Sequence, residues 1–146
     1  MAFAGINYLA IALAAIAAFG FGAIWYRVLA KPWMAAIGKT KQDVKASGAP
    51  TAVLFLVTFV AQLVMAWVLA GVIGHLGPGQ VTLRNGLISG GLLWLGFVAT
   101  TMVVNYGFQG AKRTLTAIDG GHWLAVLLIQ GAIIGWMGVP EVQGAR

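Results

Sequence analysis

Four runs of mainly apolar residues, approximately 5–26, 51–73, 85–108 and 121–139, dominate the sequence, and none holds an Asp, Glu, Lys or Arg in its interior. A bilayer core about 30 Å thick is crossed by roughly 20 such residues in a helix, the form that satisfies its own backbone amides where water is absent. The composition agrees, with 60% hydrophobic and 8% charged residues against about 25% charged in a water-soluble domain. Each run stops at a turn or polar signal: Lys31 and Pro32, Ala49 and Pro50, Gly77 to Gly79, Asp119 to Gly121, and Pro140. The expected fold is all-α: an integral-membrane four-helix transmembrane bundle, one domain over residues 1–146, with a short interfacial helical segment between helices one and two. No Lys or Arg precedes Arg27, so the first run lacks the basic start of a signal peptide and is expected to stay attached.

Basic residues set the expected orientation. The first connection carries Arg27, Lys31, Lys39, Lys41 and Lys45 and the third carries Lys112 and Arg113, seven in all, whereas the opposite side has only Arg84 and Arg146. Cytoplasmic loops hold the excess of Lys and Arg, so loops one and three are expected inside and both termini outside. The net charge of +6 adjoins the apolar runs and forms no separate basic domain, which favours lipid head groups over nucleic acid as the anionic partner.

The same first connection interleaves its charges with aromatics. Trp25, Tyr26 and Trp33 suit the head-group level, Pro32 suits the first turn of a helix, and Trp33, Met34 and Ile37 fall on one side of it. Thr40 followed by Asp43 reads as the cap of a second short helix carrying Lys41 and Lys45. The segment is expected to be an interfacial platform that meets anionic lipid, each basic residue contributing about 1 kcal/mol near a charged leaflet. Topology alone would also account for its charges, but not for the interleaved apolar side chains.

Spans that pack in lipid rely on small residues and interhelical hydrogen bonds. Ala10, Ala14, Ala18 and Gly22 form a stripe on the first helix, and Thr58, Gln62, Ala66, Ala70 and Gly74 form one on the second. Gly86 with Gly90 and Gly131 with Gly135 repeat the spacing on the third and fourth. Packing within the bundle is the preferred use of these stripes, with a dimer seam as the other.

Polar side chains inside the runs are the candidates for function, since an unpaired amide is costly in hydrocarbon. Gln62 and Gln130 lie near the middle of helices that run the same way, and form either an amide clasp, the preferred reading, or the lining of a path. Thr101 and Asn105 share a face near the inner end of helix three, followed by Tyr106 and Gln109, and Asn105 is expected to bond a neighbouring helix end near Trp25 and Tyr26. His75 and His122 fall on opposite sides and cannot share a metal ion, and Asp119 is expected to be the N-cap of helix four, with Gly120 and Gly121 allowing a tight entry. The chain has no Cys, its only serines are Ser47 and Ser89, and neither serine has an activating context. Phosphate-loop, H-E-x-x-H and nucleophile-elbow patterns are missing. No catalytic residue, metal or cofactor is expected.

The opening INYLAIALAAIAAFGFGAIWY, the KPWMAAIG segment with its TKQDVK continuation, and the half NYGFQGAKRTLTAIDGGHWLAVLLIQGAIIGW resemble the small four-helix bacterial membrane proteins grouped as domain of unknown function 1761. The most specific parts are the helix ending in Gly22, Trp25 and Tyr26, then Trp33 and Gly38. The resemblance implies span number and an aromatic cytoplasmic loop in a bacterial inner membrane, and supplies no activity. The multidrug exporters differ in requiring a Glu within the first helix, and the motifs of the fluoride channels are missing. A non-enzymatic accessory or interaction subunit, self-associated or bound to a larger membrane complex, is the preferred function. A neutral-solute transporter lined by Thr58, Gln62, Asn105 and Gln130, or a lipid- or quinone-binding protein using the inner aromatics, are the alternatives.

Overall fold

The computed structural model describes residues 3–46 and 51–140. Ser47, the Ala49 and Pro50 boundary, Glu141 and Arg146 lie outside the described residues. The elements are α1 (Tyr8–Val28), α2 (Ala30–Ile37), α3 (Lys41–Ala46), α4 (Thr51–Gly74), then α5 (Leu83–Leu93), a π-helical stretch Trp94–Ala99 and α6 (Thr100–Phe108) in continuous sequence, and finally α7 (Arg113–Met137). Four spans, α1, α4, the composite Leu83–Phe108 and α7, are long and apolar enough to cross a membrane. The protein is an all-α transmembrane four-helix bundle with short helices between its first two spans.

α7 is the most buried span and packs against α1, α4 and α5. Small residues make this possible. Ala10, Ala14 and Ala18 of α1 have no exposed surface, and Ala66, Leu69, Ala70 and Ile73 of α4 share the core with Ala10 and Ala14. Between α5 and α7 the backbones themselves touch: a Cβ on Gly86 would overlap the carbonyl of Gly131, and one on Gly90 would lie 2.6 Å from the Leu127 carbonyl oxygen. The small-residue spacing is thus used inside the chain, as the sequence preferred. Thr58 departs from its stripe: it is exposed, and its hydroxyl donates to the Leu54 carbonyl at 2.7 Å, so the buried face of α4 starts at Gln62.

α7 also departs from expectation, beginning at Arg113 and not at Gly121. The break falls at Gly110, whose φ of 65° ends the third span, and Lys112 in extended conformation is the N-cap. Gly120 and Gly121 continue the helix, and the missing side chain of Gly121 makes room for a neighbour: a Cβ there would lie 3.2 Å from the Trp25 ring. Asp119 is therefore no N-cap. It sits inside a span, about 9 Å from the helix start at 1.5 Å per residue, and is only 8% exposed.

The first connection folds back onto the bundle. α2 packs on α7 with Ala36 buried, Trp33 lies edge-on to Tyr26 with ring centres 5.9 Å apart, and Lys112 Nζ donates to the Ala35 carbonyl at 2.8 Å. Gly38 ends α2 in the left-handed region at φ 68°. α3 then opens with reciprocal caps: the Thr40 amide donates to Asp43 Oδ2 at 2.8 Å and the Asp43 amide to Thr40 Oγ1 at 3.2 Å. Arg27, Lys31, Lys39, Lys41 and Lys45 are exposed, while Trp33, Met34 and Ile37 are half-buried.

Candidate functional site

One turn of α7 collects four polar aromatic groups from the other elements. The hydroxyl of Tyr26, near the end of α1, donates to Asp119 Oδ1 at 2.8 Å, and that of Tyr106, in α6, donates to Oδ2 at 2.8 Å. The Trp25 indole N–H donates to the Ile118 carbonyl at 3.1 Å and the Trp94 indole N–H to the Gly120 carbonyl at 2.9 Å. A carboxylate accepts only and a helix carbonyl keeps a spare lone pair, so four donors meet four acceptors around one residue. The two hydroxyls on the two carboxylate oxygens are what let Asp119 lie in a poorly solvated bundle.

His122 is three residues further on, on the same face of α7, and 4% exposed. Its ring packs against Tyr26, Phe21 and Trp123 at centre distances of 4.9, 6.2 and 4.8 Å, and its Nδ1 is buried without a hydrogen-bond partner. A Cβ on Gly22 would lie 2.9 Å from His122 Nε2, which accounts for glycine at the fourth position of the α1 stripe. Two further turns along, Gln130 Nε2 donates to Gln62 Oε1 at 2.8 Å and to the Gln62 carbonyl at 3.1 Å, while Gln130 Oε1 is buried and unpartnered. These two glutamines clasp α4 to α7.

Two cavities flank the Asp119 turn. One of about 560 Å³ lies between α1, α4 and α7, with Tyr26, Thr58, Gln62 and His122 as its polar lining among Phe19, Phe55, Val57 and Trp123. The other, about 720 Å³, lies between the third span and α7, with Tyr106, Arg113 and Thr116 among Trp94, Met102, Val103 and Leu124. Tyr26 thus faces one cavity and Tyr106 the other, and both hydroxyls end on one carboxylate.

Residues 9–135 match the family described as Protein of unknown function (DUF1761). The chain belongs to that family. Comparisons with curated proteins and with solved structures return no match. The stretch shared with DUF1761 contains every residue of the Asp119 turn and both cavities.

Several sequence expectations find a different place in this DUF1761 bundle. Trp25 and Tyr26, near the end of α1, turn their polar atoms onto α7, where the Ile118 carbonyl and the Asp119 carboxylate accept from them. Asn105 and Thr101 are exposed on α6; the contact with the end of α1 is made one position later, by Tyr106 through Asp119. A titratable group does lie within a span, since α7 starts early enough to include Asp119. Among the described residues no three His, Asp or Glu side chains come together, and His75 lies beyond α4, its Nδ1 2.7 Å from the Gly71 carbonyl oxygen. The signal for the cluster was present in the sequence as a helical stripe: Asp119, His122, Val126 and Gln130 follow a three, four, four spacing, and all four are buried.

Proposed function

We propose that this protein binds a small lipophilic molecule with a hydrogen-bonding head, quinone-like in chemistry, in the cavity between α1, α4 and α7. One observation carries the reading: an apolar cavity of about 560 Å³ with polar side chains from three helices, Tyr26, Gln62 and His122, converging on it. Binding sites for such ligands are mainly apolar pockets of about 300–1,000 Å³ with a few placed polar groups. Tyr26 is held by Asp119 and His122 by the surrounding rings, so the polar lining is preorganised. The protein is read as a non-enzymatic binding component in the bacterial inner membrane, with its first and third connections cytoplasmic on the strength of their charges.

The accessory-subunit reading loses part of its support, because the small-residue stripes invoked for partners are occupied within the chain. The transport reading gains support, since Asp119 is a buried protonatable group beside the same cavity. Mass spectrometry of a gentle detergent extract separates the three. The binding reading expects a stoichiometric lipophile that is lost from Ala61→Trp, a substitution on the exposed cavity wall. A stoichiometric protein partner with no lipophile, or lipophile recovery unchanged in Ala61→Trp, overturns it. Proton-dependent uptake by vesicles holding the purified protein would establish the transport reading.

A further inference from the structure

The cavity between the third span and α7 has a different chemistry from the one just discussed, and stands apart from that reading. Its polar side chains gather at one end: Arg113 and Thr116 in the first turns of α7, and Tyr106 near the end of α6. From there inward the walls are Met102 and Val103 on one side and Leu124 on the other, down to Trp94. Arg113 to Leu124 spans about 16 Å of helix at 1.5 Å per residue, close to half of a hydrocarbon core about 30 Å thick. The cavity therefore runs through about one leaflet, with its cation at the membrane boundary. Val103 is 63% exposed on its wall, which opens it sideways to lipid.

Two details of the sequence create the space. Gly120 faces it, and a Cβ there would meet nothing within 4 Å. The wide turns of Trp94–Ala99 form the inner wall, and the Trp94 indole is pinned to the Gly120 carbonyl; π-helical turns recur at functional sites. Arg113 is exposed, and the two carboxylates among the described residues are engaged elsewhere, Asp43 by Thr40 and Asp119 by the two tyrosines. The neighbouring Lys112 is also spent, on the Ala35 carbonyl.

We propose that this cavity is a binding site for an anionic phospholipid of the adjoining leaflet, its phosphate on Arg113 and one acyl chain along Met102, Val103 and Leu124 toward Trp94. A guanidinium fork matches phosphate oxygens in pairs, and the apolar walls match the chain. The proposal assigns anionic-lipid selectivity to one residue of α7 and not to the lysines of the first connection.

The full chain in nanodiscs of mixed phosphatidylglycerol and phosphatidylethanolamine, released for native mass spectrometry, provides the test. The wild type should retain one phosphatidylglycerol per chain above the bilayer composition. Arg113→Gln should lower that occupancy about fivefold, the value of one basic contact at a charged leaflet, and Gly120→Leu should abolish it by filling the cavity. The triple variant Lys39→Gln, Lys41→Gln, Lys45→Gln should keep it. Equal loss in Arg113→Gln and the triple variant would reduce the effect to diffuse charge and overturn the proposal. So would retention of phosphatidylethanolamine or of a free fatty acid in place of phosphatidylglycerol. Arg113 is exposed, so its variant folds and the test stands even where Gly120→Leu does not.

Discussion

Removing the two tyrosine hydroxyls one at a time and then together tests whether Asp119 holds the first, third and fourth spans to one another. Each hydroxyl lies 2.8 Å from a different oxygen of the same carboxylate. A hydrogen bond to a charged group contributes about 1.5–3 kcal/mol, and both bonds are only partly buried, so Tyr26→Phe and Tyr106→Phe should each cost about 1.5 kcal/mol. After either change the carboxylate keeps one donor. After both it has none of those seen among the described side chains, yet stays 8% exposed in the bundle. The double variant should therefore cost more than the sum, by a coupling of about 0.5–3 kcal/mol typical of groups that share a partner. Equilibrium unfolding of the four proteins in mixed micelles, followed by tryptophan fluorescence, measures all the terms. Strict additivity, or single costs below about 0.5 kcal/mol, would show that Asp119 finds other donors and that the cluster does not bind the spans together.

Two alanine substitutions in α5 should act with opposite signs in the same assay: Gly86→Ala, whose Cβ overlaps the Gly131 carbonyl, should destabilise by about 1–3 kcal/mol, while Gly91→Ala, with open space around its Cβ, should stabilise by up to about 1 kcal/mol. A loss at both positions would mean that helix propensity and contact are not separable there. Single cysteines at Lys41 and Gln80 should react with an impermeant thiol reagent from opposite sides of the membrane, position 41 from the cytoplasm; labelling of position 41 from outside would reverse the orientation. The Thr40 hydroxyl and amide hold the Asp43 carboxyl below its usual range. A lowered folded value means the cap contributes above the ordinary carboxylate pKa of about 4 and is lost as pH falls through the lowered one, so the protection of α3 amides relative to their intrinsic exchange rates should fall only under acid conditions. Protection that does not change on acidification would remove Asp43 from the cap.

Span number, the apolar stripes and the capped connection were all legible in the chain, because each depends on short-range regularities: run length against bilayer thickness, a spacing of four, and Thr40 followed by Asp43. The Asp119 turn was not, for a reason that can be named. Gly120 and Gly121 carry the local signature of a break, and a carboxylate just before them reads as a cap; in the fold they lie within a helix whose carbonyls accept the Trp25 and Trp94 indoles, with Trp25 packed where Gly121 has no side chain. Residues 93 positions apart meet in the Tyr26 to Asp119 bond, and no local rule picks that contact out from the residues around either one. Sequence alone therefore determined that four helices cross a membrane and where most of them end. Only the tertiary structure decided that a carboxylate lies inside one of them, because burying it becomes possible once hydroxyl donors from two other helices have been brought to it.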